Sequence, residues 1–171
     1  FLGGSVGQLV VVRGQGFPQD RSGPVSMCMK PDLREYPNPS NPTALAAMVA
    51  SDIADADLEA NLNSWNAFQF ERVGLNLRPE LVALKDANGD AGAFAAKAKT
   101  IAETSEFNLV LMSDSLDAMK AAVEAAGFKR PLIYAATEAN ADDFGALAKD
   151  NDLPLAVKAD AIEALVPLTE K

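Results

Sequence analysis

Four short apolar runs constrain what this chain can fold into: LVALKDANGD (81–90), NLVLMSDSLD (108–117), RPLIYAATEAN (130–140) and PLAVKAD (154–160). Each is a run of Leu, Val, Ile or Ala that gives way to Asp, Asn, Ser or Thr. An apolar run of this length without polar alternation suits a strand covered on both faces, which points to a parallel sheet with helices packed on it. The segments between the runs are helical in pattern. Strand starts recur roughly every two dozen residues, the length of one strand, one helix and two short loops. The polar end of each strand is where chemistry is expected.

In chain order, FLGGSVGQLVVVRG (1–14) reads as a Gly-rich turn and a β-segment from Gln8 to Arg13. Gly14-Gln15-Gly16 fails as a dinucleotide fingerprint, because Gln19 replaces its last glycine and Pro18 sits where the helix should start. Gly16 to Pro42 carries most of the chain's ten prolines and reads as a long loop. Within it, Met27-Cys28-Met29 offers soft ligands for an ion such as Cu(I), but Met and Cys serve equally as apolar packing, the reading preferred here. The domain division expected is 1–43 for the β-segment and loop, and 44–171 for the strand-helix repeats.

The first repeat strand is placed at Ala44 to Ala50. Asp52 to Asp55 then supply an N-cap and first-turn acids for a helix to about Phe68, with Leu58, Leu62 and Trp65 as its buried stripe. FERVGLNL (70–77) shows no clear period and fits a short strand or a bend. After the strand Leu81 to Lys85, Asp86, Asn88 and Asp90 resemble the start of a calcium loop, but Gly89 and Lys97 fall at the wrong positions for one. Asn88-Gly89 is read instead as a turn. Asp90 is read as the cap of a helix to about Thr104, with Phe94, Ala98 and Ile101 inward.

The strand Asn108 to Met112 leads through Ser113-Asp114-Ser115 to a helix with Leu116, Met119 and Val123 on one stripe, ended by Gly127 as a left-handed cap. The strand Pro131 to Ala136 leads through Thr137, Glu138 and Asn140 to a helix carrying Phe144 and Leu147. The last strand, Leu153 to Val157, precedes a helical segment from about Asp160 that Pro167 interrupts. Five such units with right-handed crossovers fit either an open doubly wound sheet or part of an eight-stranded barrel, of which this chain holds about five units.

Composition narrows the chemistry. The net charge is −9, and the scattered Lys and Arg give no basic tract for nucleic-acid phosphates. With no His and one Cys, the chain cannot supply a Ser-His-Asp triad, a His-ligated metal site, an iron-sulfur cluster or an internal disulfide. The single Cys fits a reducing cytoplasm. No apolar run reaches the roughly 18 residues of a transmembrane helix. The first residue is Phe, as expected of a processed or excised piece.

Asn41-Pro42-Thr43 before the first strand, Phe70-Glu71-Arg72-Val73-Gly74, the Leu81 strand before Gly89-Asp90, and PLIYAATEAN followed by LAKDNDLPLAV together resemble one family. They are similar to the barrel domain of the corrinoid iron-sulfur protein large (gamma) subunit of acetyl-CoA synthase and decarbonylase systems. The resemblance covers about 41–171, and Leu2-Gly3-Gly4 with the Val10 segment resembles the hairpin before that barrel. The insertion between Arg13 and Asn41 departs from the family pattern.

The resemblance implies a TIM-barrel-type partial barrel and a scaffold role in methyl transfer from a methyl-pterin to acetyl-CoA synthase. The implied partners are a small barrel subunit, a methyl-pterin methyltransferase and acetyl-CoA synthase, with no nucleic acid and no membrane. The corrinoid (cobalamin) would be held mainly outside this chain, and the family's iron-sulfur domain precedes the barrel. No catalytic residue carries over. The barrel-mouth candidates are Asn41, Thr43, Asp86, Asn88, Ser113, Asp114, Thr137, Glu138 and Asn140, all residue types that also cap helices and form turns. The competing reading is a self-contained α/β enzyme using Asp86 or Glu138 as general base.

Overall fold

Alternation within the strands decides the architecture of the computed structural model, which describes residues 45–72 and 75–169. Five strands form one parallel sheet: β1 (Leu45–Ala50), β4 (Pro79–Lys85), β5 (Asn108–Met112), β6 (Leu132–Ala136) and β7 (Leu155–Val157). They lie side by side in chain order, β1-β4-β5-β6-β7, without a reversal. Between them run α1 (Asp55–Ala67), α2 (Ala91–Thr104), α3 (Leu116–Ala126), α4 (Ala141–Asp150) and α5 (Ile162–Thr169). A strand order that never reverses puts every right-handed crossover on the same face, whereas a doubly wound sheet would carry helices on both.

The core bears this out. One buried cluster takes Leu58 and Leu62 from α1, Phe94, Ala98 and Ile101 from α2, Met119 and Val123 from α3, Phe144 from α4 and Leu168 from α5. These pack on Val49, Val82, Leu84, Leu109, Leu111 and Ile133. The alternate residues Leu81, Ala83, Val110 and Leu132 form a second, smaller cluster, against which Ala46, Met112, Tyr134 and Ala156 pack. The helices therefore share one side, and the other is the inward face of a barrel segment. Among the described residues the sheet does not close: β1 pairs only with β4, and β7 only with β6. Met48 on β1 is 40% exposed and all three residues of β7 are half-buried, as unfinished edges leave them.

The local chemistry explains most element boundaries. Asp90 caps α2, its carboxylate accepting from the backbone N–H groups of Gly92 and Ala93 at 2.9 and 3.1 Å. Ser115 caps α3 through Ala118 N–H at 3.3 Å. The segment FERVGLNL holds two short strands, β2 (Phe70–Arg72) and β3 (Leu75–Leu77), paired antiparallel.

Three local expectations change. The N-cap position of α1 is Ala54 and has no side-chain bond, so Asp55 and Asp57 act only as first-turn acids. Gly127 is right-handed (φ −59°) and opens a 3₁₀ turn, Gly127–Lys129. The left-handed residue is Arg130 (φ 50°), whose guanidinium binds the Asp152 backbone oxygen through Nε and Nη2 at 3.2 and 2.9 Å. Finally, α5 runs through Pro167 to Thr169. The region 1–44, with its β-segment and the Gly14 and Met27 readings, lies outside the described residues.

Candidate functional site

Beyond the strand ends the ladder continues by single hydrogen bonds. Ser51 N–H donates to Lys85 O, Asp86 N–H to Met112 O and Lys158 N–H to Ala136 O, each at 2.8 Å. These bonds fix where the following loops leave the sheet. They surround an open cleft of about 450 Å³ over the C-terminal ends of β4, β5, β6 and β7. Lys85, Met112, Tyr134 and Lys158 come from the strands or the residue just after them, and Asp86, Ser113, Asp114, Ser115 and Thr137 from the loops.

One hydrogen-bond network joins two of the loops. Ser113 is buried, and its hydroxyl donates to Asp86 Oδ2 at 2.8 Å while accepting from Ser115 N–H at 3.1 Å. Asp86 Oδ1 accepts from Gly89 N–H at 2.9 Å, closing a turn in which Gly89 takes φ 70°. Ser51, also buried, accepts from Ala87 N–H at 3.1 Å and so ties the end of β1 to the same turn. Both Asp86 oxygens are thus committed to loop structure, which argues against Asp86 as a free general base. No calcium loop forms around it: Asp86 serves the turn and Asp90 the helix cap.

The structure therefore gathers Asp86, Ser113, Asp114 and Thr137 of the sequence candidates into one cleft. Asn88, Glu138 and Asn140 are not among the residues lining it. Asn88 and Glu138 are exposed on their loops. Asn140 holds its own loop, its Oδ1 accepting from Thr137 N–H at 2.6 Å and from the Thr137 hydroxyl at 3.1 Å. Asn41 and Thr43 lie outside the described residues. Sequence reasoning missed Lys85, Met112, Tyr134 and Lys158. A signal was present: LVALKD and LAVKAD both put a Lys at the end of an apolar strand.

Residues 29–171 match the family of the CO dehydrogenase/acetyl-CoA synthase delta subunit. The chain belongs to that family. Among similar proteins, the corrinoid/iron-sulfur protein large subunit of Moorella thermoacetica is 34% identical over 94% of this chain and 35% of its own length. The acetyl-CoA decarbonylase/synthase complex subunit gamma of Methanopyrus kandleri is 33% identical over 75% of the chain and 28% of its own length. That of Methanothermobacter thermautotrophicus is 34% identical over 67% and 25%. This chain thus spans about a third or less of these relatives. Their names agree with the large (gamma) subunit resemblance, while the matched family carries the delta name.

Among the described residues no group of three or more His, Cys, Asp or Glu could hold a metal ion, and no helix is long and apolar enough to cross a membrane.

Proposed function

We propose that the chain is the scaffold part of a corrinoid methyl-carrier protein, within a system that moves a methyl group from a methyl-pterin to acetyl-CoA synthase. The observation that carries the reading is the cleft at the strand ends of a barrel-type sheet, in a chain whose relatives are named for corrinoid/iron-sulfur and acetyl-CoA decarbonylase/synthase proteins. Polar strand-end loops are where barrels of this type place their ligands. The division into a segment 1–43 and a barrel region 44–171, and a cytoplasmic setting, belong to the same proposal.

A corrinoid has apolar faces and an edge fringed with amides, and the cleft has groups to suit both. Tyr134 and Met112 offer apolar surface, Lys85, Ser115 and Thr137 offer donors, and Asp114 offers an acceptor for an amide N–H. With no His in the chain, no imidazole can ligate cobalt from this side. The fit is to the edge of the macrocycle, which agrees with a corrinoid held mainly elsewhere. Bound, it would supply methyl-transfer chemistry at cobalt. The chain's own residues would hold the amide edge, keep water from the apolar face and set the loop positions through the Ser113–Asp86 bond. The partners proposed are a small barrel subunit, a methyltransferase for the methyl-pterin and acetyl-CoA synthase.

The test is a visible absorption spectrum and a subunit inventory of the protein as isolated from its native source. Corrinoid bands with a second barrel subunit are expected. A colourless protein without either would overturn the reading.

A further inference from the structure

The inward face changes character along the strands. Its lower part is Leu81, Ala83, Val110, Leu132 and Ala156, all apolar. Its upper row is set by register: Ala50 pairs with Lys85, Lys85 with Met112 and Met112 with Tyr134. On β7, Ala156 is inward, so Lys158 two residues later lies on the same face. The row at the mouth therefore reads Lys, Met, Tyr across β4 to β6, Lys158 stands one step beyond it on the same face, and all four residues line the cleft.

Neither lysine has an ion-pair partner among the described residues, whereas Lys97 pairs with Asp55 and Lys99 with Glu103. The acids of the cleft stand in the loops above the row. Asp86 has both oxygens engaged by Gly89 N–H and the Ser113 hydroxyl, and Asp114 is exposed. The inward row itself carries only positive charge. Three strand intervals separate β4 from β7, about 14 Å at the backbone before any sheet curvature. The strands that carry the two lysines thus flank Met112 and Tyr134.

We propose that this cleft binds a small organic anion: a flat, aromatic body lying over Met112 and Tyr134, with a carboxylate or phosphate held by Lys85 and Lys158. Aromatic faces take flat apolar bodies, and lysine acts as a point charge toward either oxyanion. The anion would lie on Lys85, Met112 and Tyr134, the residues proposed above for the corrinoid edge, so the two are alternative occupants of one cleft, and the test contains no corrinoid.

The experiment is calorimetric titration of the full chain with phenyl phosphate, benzoate and phenol, repeated for Lys85→Gln, Lys158→Gln and Lys85→Arg. Phenyl phosphate or benzoate should bind, phenol should not do so comparably, and the tighter of the two anions identifies the oxyanion. Each Gln variant should weaken the tighter anion by about tenfold while Lys85→Arg retains most of the affinity, and added salt should weaken binding. Circular dichroism checks that each variant is folded. Phenol binding as tightly as the anions, unchanged affinity in both folded Gln variants, or no binding by any probe would overturn the proposal.

Discussion

The two faces of the sheet are built from alternate residues of the same strands, yet they do different work. Toward the helices, Val82, Leu84, Leu109, Leu111 and Ile133 meet Phe94 and Phe144, which are fully buried. Toward the inside, the cluster is small, rich in Ala, and ends in Lys85, Met112, Tyr134 and Lys158. One face spends its side chains on packing along the whole strand. The other packs below, with Met112 and Tyr134 half-buried against that cluster, and leaves Lys85 and Lys158 exposed at its top. The division follows from a period of two residues: a strand can hold the fold together with one set of side chains and present a ligand surface with the other.

The largest effect that could break this comparison lies on the helix side. Phe144→Ala should lower stability by about 3–5 kcal/mol in a denaturant titration, because it empties a fully enclosed site. Leu132→Ala, on the inward face, should cost about 2 kcal/mol, the low end for a buried leucine, since the cluster around it is small. An inward loss equal to that of Phe144→Ala would contradict the division. Ser113→Ala should cost about 1 kcal/mol by leaving Asp86 Oδ2 and Ser115 N–H without their partner, and should speed amide exchange in the Asp86–Gly89 turn. Lys85→Gln should change stability by less than about 0.5 kcal/mol, as expected of an exposed side chain whose role is binding.

Much of this was legible in the sequence. The apolar run marks Asn108–Met112 with its observed bounds, and Asp90 is legible as the cap it is, because both signals are local. The choice between doubly wound sheet and barrel was not local. It needed the strand order and the gathering of all five helices on one side. Gly127 does not use the preference of glycine for left-handed backbone and opens a 3₁₀ turn. The chain turns at Arg130 instead, where the guanidinium is anchored on the Asp152 backbone and carboxylate.

The site was half legible for a related reason. Asp86, Ser113, Asp114 and Thr137 are legible as short polar residues that follow apolar strands. The same rule drew in Asn88, Glu138 and Asn140, which serve turns or stand on the outer loops. Lys85 and Lys158 escaped because a strand-end lysine becomes informative only when its face of the sheet is known.

Amide hydrogen exchange tests the division of labour most directly, comparing the free chain with the same chain in the complex isolated from its native source. Slower exchange in the complex at residues 86–90, 113–115 and 137–140, with α2 and α3 unchanged, is the predicted result. Protection spread over α2 and α3 with the three loops unaltered would mean that the helix-covered side meets the partner, and the assignment of the inward face to binding would be wrong.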